Sequence, residues 1–246
     1  MTIDMDVIVG LYFKHAAALR AAREAQSALL SDGHRMRPRL DDAEAEICYL
    51  LVRELRPGRV VELGGGHGWS TTWLLRALTD NGYGTLDTYA APDHLRRPAQ
   101  PSGRIPASLT ARWRFHDCDV RTADDLEPAH IDHLLIDASH TVSFAHWYRR
   151  HLLNRLRPGT PVAVHDVFHR PTTPSREGRV VLDWLAAHSA PHFTVSAAAA
   201  PQEYAELTAA KRLLALDAVV HRPAPNPMLF CTTPQPPRYP RPRPTS

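Results

Sequence analysis

The stretch Val60-Val61-Glu62-Leu63-Gly64-Gly65-Gly66-His67-Gly68-Trp69-Ser70 constrains this chain more than any other. Its apolar start predicts a short buried strand. Its glycines predict a turn in which the backbone bends sharply and can come close to a ligand, and a helix is predicted from about Trp69. Strand, glycine turn and helix in succession open a parallel sheet covered on both faces. The N–H groups at the start of such a helix favour a carboxylate or phosphate.

The rest of the chain continues the alternation. Strands are predicted over 84–90, 112–120, 131–137, 161–167, 192–199 and 226–233, and helices over 69–80, 143–157, 178–189 and 201–219. Two helices precede the sheet, over 5–30 and 41–56, the second ended by Pro57-Gly58. The expected fold is therefore α/β, a Rossmann-like doubly wound sheet of seven strands with the last antiparallel and an N-terminal helical extension. The division reads 1–56 as N-terminal helices, 57–233 as the sheet domain, and 234–246 as a disordered Pro/Arg tail. Residues 91–110 form a long loop rich in Pro and Arg.

Composition narrows the class. A chain of 246 residues holds one large α/β domain with extensions. No run of ~18 apolar residues is present, so no membrane helix is expected. The N-terminus lacks the basic region of a secretory signal. Cys48, Cys118 and Cys231 lie too far apart for a disulfide framework or a Cys-rich zinc site, which suits a reducing cytoplasm. The net charge of +3 is too small to argue for nucleic acid. Basic charge is nearly all arginine, the lysines being Lys14 and Lys211.

Ligands of such sheets bind at the carboxyl ends of the strands, near the point where strand order reverses. The first strand ends in E-x-G-x-G-x-G. A dinucleotide fingerprint wants its third glycine one residue later than Gly68. With Glu62 two residues before the first glycine, the segment instead resembles motif I of the class I S-adenosylmethionine (SAM)-dependent methyltransferases. It is most similar to the bacterial branch that includes natural-product O-methyltransferases of the macrolide-sugar type and a cephalosporin-hydroxylase-like group. Leu134-Leu135-Ile136-Asp137-Ala138-Ser139-His140 resembles that branch's fourth-strand motif. The segment from Leu156-Arg157-Pro158-Gly159 to His165-Asp166 resembles its fifth strand, and Asn226-Pro227-Met228-Leu229-Phe230 its closing strand.

The resemblance implies a SAM-dependent methyltransferase acting on a small molecule, at a hydroxyl of a natural product, with Glu62, Gly64, Gly66, Gly68 and Ser70 at the cofactor. It places Asp119 near the adenine and Asp137 also at the cofactor, with the glycines at its methionine end. The acid that usually holds the ribose has no match, since Ala90 stands there, and Asp93 is the nearest substitute. It also implies a lid or a contact between copies of the chain through the N-terminal helices.

A second group of polar residues ends the fourth and fifth strands. The resemblance implies a divalent metal site matched by position to Asp137, His165 and Asp166, with His140 and Asp166 as catalytic groups and His140 as a base. His165 stands where related sites carry an oxygen ligand for magnesium, and imidazole suits a transition metal better. Metal binding, metal-free acid–base work and simple turn capping all stay open at this stage. So do two other functions, a metal-dependent hydroxylase-like enzyme on the same fold and a non-catalytic SAM-binding protein. Most of the 15 histidines read as background. Glu177 reads as a helix-dipole partner.

Overall fold

The computed structural model describes residues 3–31, 36, 38–91, 104–170, 172–222 and 227–234. In chain order the helices are α1 (Met5–Lys14), α2 (Ala16–Ser31), α3 (Asp42–Leu55), α4 (Trp69–Asn81), α5 (Val142–Tyr148), α6 (Arg176–Ala187) and α7 (Pro201–Leu213). The strands are β1 (Arg59–Leu63), β2 (Thr85–Tyr89), β3 (Trp113–His116), β4 (His133–Ile136), β5 (Pro161–Val164), β6 (Phe168–Arg170), β7 (Thr173–Pro174), β8 (His192–Thr194) and β9 (Leu229–Thr232).

Seven strands form one sheet in the order β3-β2-β1-β4-β5-β9-β8. Strands β1 to β5 are parallel, and β9 runs antiparallel between β5 and β8. Strand order reverses between β1 and β4, so the carboxyl ends of those strands flank the crevice where such sheets bind ligands. This is the expected Rossmann-like class.

Both faces of the sheet are buried, which explains the near-continuous apolar runs of its strands. Val60, Leu86, Leu135, Ala163 and Phe230 face a cluster shared with α1, α3 and α4. Val61, Leu63, Leu134, Ile136, Val162 and Val164 face a second cluster, filled by Phe144, Tyr148, Val181 and Leu185. The N-terminal helices thus share one core with the sheet. A buried carboxylate, Glu46 on α3, ties them to α7: it accepts from the Tyr12 hydroxyl at 2.7 Å, lies 2.9 Å from Lys211 Nζ, and pairs with Arg23. A buried charge is tolerated only when partnered in this way.

Several elements differ in extent from the sequence reading. The helix expected over 5–30 breaks at His15, whose ring meets Glu54 of α3 at 2.9 Å. The strand expected over 112–120 ends at His116, because Asp119 caps a tight turn over Val120–Thr122 instead. The strand expected over 161–167 ends at Val164, because Asp166 takes a left-handed backbone, φ 56°. The helix over 143–157 is α5 followed by a wider π turn, Arg149–Leu153. The β6–β7 hairpin has no apolar alternation to announce it. Asp93, and the tail beyond Pro234, lie outside the described residues.

One buried group makes stability depend on pH. His133, at the start of β4, is 1 % exposed, and neither ring nitrogen has a hydrogen-bond partner among the described residues. Burial alone depresses its pKa to about 4. The folded state therefore holds the ring neutral where the unfolded chain, near 6.5, takes up a proton. That contribution is intact above pH 6.5 and is lost as pH falls towards 4, up to about 3 kcal/mol. Chemical denaturation of His133→Leu at pH 7 and at pH 4.5 should show an acid-induced loss smaller than wild type by about 2 kcal/mol.

Candidate active site at the strand ends

The glycine turn is shaped by contacts that exclude side chains. Gly64 has φ 113°, and a Cβ there would lie 1.8 Å from the Asp137 carbonyl oxygen. Its N–H donates to the Tyr89 carbonyl at 2.8 Å, and the Asp137 N–H donates to the Leu63 carbonyl at 2.8 Å. The exits of β1, β2 and β4 are thereby locked together. Gly68, φ 87°, starts α4, and a Cβ there would meet Ile105 at 2.8 Å. Gly66 differs: among the described residues, a Cβ added there would meet nothing within 4 Å.

Glu62 lies beneath this turn, fully buried. Its carboxylate accepts from the hydroxyls of Ser70 at 2.6 Å, Thr71 at 2.7 Å and Thr88 at 2.8 Å. Burial raises its pKa, against the pull of those hydroxyls. Glu62 and Ser70 therefore hold the loop from below, engaged with each other. Asp119 caps its turn through the Arg121 N–H at 2.9 Å and pairs with the Arg121 guanidinium, which lowers its pKa. At the ends of β2 and β3, Tyr89 and His116 stack with ring centres 4.2 Å apart.

The second group of residues converges. Asp137 follows β4, and His165 follows β5, its N–H on the Ile136 carbonyl at 2.9 Å. Asp137 Oδ1 lies 3.2 Å from His165 Nδ1 and 3.7 Å from His140 Nε2. Asp166 closes the group, with Oδ2 3.1 Å from His140 Nε2 and Oδ1 3.3 Å from His165 Nδ1. Asp137, His140 and His165 each offer a donor atom within 4.8 Å of the other two. Among the described residues, His165 Nδ1 and Asp166 Oδ1 are buried with no hydrogen-bond partner despite their closeness.

Donors bound at ~2.1 Å to one ion lie about 3.0–3.4 Å apart at right or tetrahedral angles. The separations of 3.1 to 3.3 Å fit and the 3.7 Å between Asp137 and His140 is longer; a donor set of two imidazoles and two carboxylates suits a transition ion better than magnesium. The left-handed backbone of Asp166 is the kind of local strain that persists where surrounding structure holds a functional group in place.

Electrostatics couple the group tightly. Burial works to raise Asp137, but His165, His140 and Arg39 hold it below the usual carboxylate range. Burial works to lower His165, yet Asp137, Glu44 and Asp166 push it up to about 9. His140 is raised as well, with Glu177, Asp166 and Asp137 outweighing its burial. Glu44 of α3 is raised by burial and by Asp41, and lies 3.9 Å from His165.

The structure thus brings together Asp137, His140, His165 and Asp166, next to Gly64. It sets Asp119 apart, on its own arginine. Two partners, Glu44 and Tyr148, had not been singled out from sequence, and Glu177 had been read only as a helix-dipole partner. Glu44 was legible only as the N3 acid of the Asp41 capping box. No local signal announced that Glu177 would meet His140 or that Tyr148 would donate to Glu177.

Residues 61–167 match the family model of a methyltransferase domain. The chain carries a methyltransferase domain of the SAM-dependent class I fold. A search of curated proteins finds no significant match. Solved structures agree on the fold. An O-methyltransferase of Streptomyces achromogenes involved in tomaymycin synthesis, in complex with SAM, superposes with TM-score 0.53 at 17% identity, over 89% of this chain and 90% of that one. The Bacillus cereus O-methyltransferase in complex with S-adenosylhomocysteine (SAH) gives TM-score 0.52 at 18% identity, over 88% and 90%. A SAM-dependent O-methyltransferase of Thermotoga maritima gives 0.51 at 16% identity, over 81% and 68%.

The glycine turn of this methyltransferase domain separates two effects that substitution can resolve. Gly64→Ala combines an unfavourable φ with a backbone clash and should cost about 3–5 kcal/mol in chemical denaturation. Gly66→Ala meets no neighbour and should cost only about 1 kcal/mol, the left-handed penalty. Calorimetry should nonetheless show Gly66→Ala binding SAH at least tenfold more weakly than wild type.

Proposed function

We propose that this chain transfers the methyl group of SAM to a hydroxyl of a small natural product, assisted by a divalent cation. The observation that carries the reading is the convergence of Asp137, His140, His165 and Asp166 beside Gly64, with His165 Nδ1 and Asp166 Oδ1 buried and unpartnered. Glycine turns of this type hold the methionine end of the cofactor, and the Gly64 contact makes the turn and the polar cluster immediate neighbours. The tomaymycin enzyme, with the same fold, supports a natural-product acceptor. The small net charge supports a small molecule over nucleic acid.

SAM supplies an activated methyl on a sulfonium, and a bound cation would lower the pKa of an acceptor hydroxyl. Asp137, His140, His165 and Asp166 are the residues that would hold that cation. The remaining work falls to positioning. The fixed turn and the strand exits would set an acceptor oxygen in line with the methyl carbon, and proximity of this kind supplies much of a displacement's acceleration. The acceptor's O–H bond breaks, its oxygen forms the new C–O bond, and the C–S bond breaks to leave neutral SAH. The proton goes to a base within the cluster.

A second reading keeps the cofactor and omits the cation. It is favoured by the 3.0 Å contact of His140 Nδ1 with Glu177, the arrangement of a general base held by a carboxylate. Titration calorimetry with SAH, then with cobalt(II), separates the two. The proposal expects one SAH per chain and one cobalt per chain, with cobalt binding abolished in Asp137→Asn. SAH binding without cobalt binding selects the metal-free reading, and absence of SAH binding overturns both.

A further inference from the structure

Glu177 is the second residue of α6, and an acid in a first helical turn ordinarily faces water and complements the helix dipole. Glu177 is instead 2 % exposed. Burial of a carboxylate is costly unless its oxygens are hydrogen-bonded. Here each oxygen meets a different donor: His140 Nδ1 lies 3.0 Å from Oε2, and the Tyr148 hydroxyl lies 3.0 Å from Oε1.

The helix start is also fixed in place. Ser175 caps it through the Gly178 N–H at 2.7 Å, and the Ser175 N–H donates to the Val167 carbonyl at 2.8 Å. A Cβ on Gly178 would lie 1.9 Å from that same carbonyl oxygen. The first turn of α6 is therefore seated on the segment that carries Asp166. Tyr148 is the last residue of α5, just before the π turn. Elements on two sides thus hold one carboxylate against one histidine.

We infer that Glu177 is a positioning residue for His140, fixing which nitrogen of its ring faces the cluster. The inference rests on the reading of His140 as a working member of the site. A carboxylate only accepts, so the nitrogen that faces it carries the hydrogen. With Nδ1–H held by Glu177, it is Nε2 that faces Asp166 at 3.1 Å and Asp137 at 3.7 Å. Its lone pair is then available to a cation or to an acceptor's proton. The Tyr148 hydroxyl fixes the carboxylate from its far side. Histidine ligands of metals use such outer carboxylates to set tautomer and ring orientation, and removing the partner typically costs ~10–100-fold in affinity.

The test uses the full chain labelled with nitrogen-15 in its histidines, with zinc(II) as probe and SAH present. Proton–nitrogen spectra should show a downfield Nδ1–H on His140, assigned by its absence in His140→Asn. That resonance should vanish in Glu177→Leu. It should survive in Glu177→Gln, which keeps an acceptor oxygen, and in Tyr148→Phe. Zinc affinity should fall ~10–100-fold in Glu177→Leu and less than twofold when the same change is made in His140→Asn. A His140 without Nδ1–H in the wild type, or an equal zinc loss in both backgrounds, overturns the inference. If zinc does not bind the wild type, the cation of the proposed function falls, and the wild-type Nδ1–H resonance alone decides the role of Glu177. If Glu177→Leu does not fold, loss of the resonance in Glu177→Gln as well as in Tyr148→Phe would count against it.

Discussion

Gly64 leaves β1 so close to the exit of β4 that a Cβ would lie 1.8 Å from the Asp137 carbonyl oxygen. The approach fixes the distance between a cofactor turn and an acid–histidine cluster that lie some seventy residues apart in the chain. Hydrogen bonds from Gly64 to Tyr89 and from Asp137 to Leu63 extend the lock across three neighbouring strand ends. Glu62 adds the floor: one carboxylate gathers hydroxyls from Ser70 and Thr71 on α4 and Thr88 on β2. The turn is held from below and from one side.

The cluster itself is an electrostatic compromise. Two histidines, each 3.1 to 3.7 Å from both carboxylates, hold together with them only while the charges balance. Without a cation, the carboxylates keep both histidines inclined towards protonation, which is why His165 rises despite burial. A divalent cation would replace those protons as the compensating charge, and ligand histidines must release them to bind it. The same four side chains thus suit a cation or two protons. In the proposed reading the cation would take the place of those protons beside His165 Nδ1 and Asp166 Oδ1, which have no hydrogen-bond partner among the described residues.

How much of this was legible in the sequence follows from how local each signal is. The strand–turn–helix of residues 60–70 is contiguous, and glycine spacing carries its own steric reason, so the fold class and the turn were readable. Asp137, His165 and Asp166 were readable because parallel neighbours place their exits side by side. Glu62 was readable as a position but not as a buttress, because its burial depends on hydroxyls from two other elements. Strand lengths were overestimated where a single backbone feature, the Asp119 cap or the left-handed Asp166, ended an otherwise apolar run.

Glu44 and Glu177 show why the surroundings of the site were hidden. Each sits in the first turn of its helix, where an acid has an adequate local explanation in capping or in the helix dipole. In each case the fold adds a second use. Glu44 accepts from the Met228 N–H at 2.6 Å while facing His165, and Glu177 meets His140 and Tyr148. A surface cap would be satisfied by water and could be replaced at a cost of about 1 kcal/mol. These two carboxylates are buried, so their protein partners are obligatory. Burial is what separates a site residue from a cap of the same sequence pattern, and burial is set by long-range packing that no local window contains.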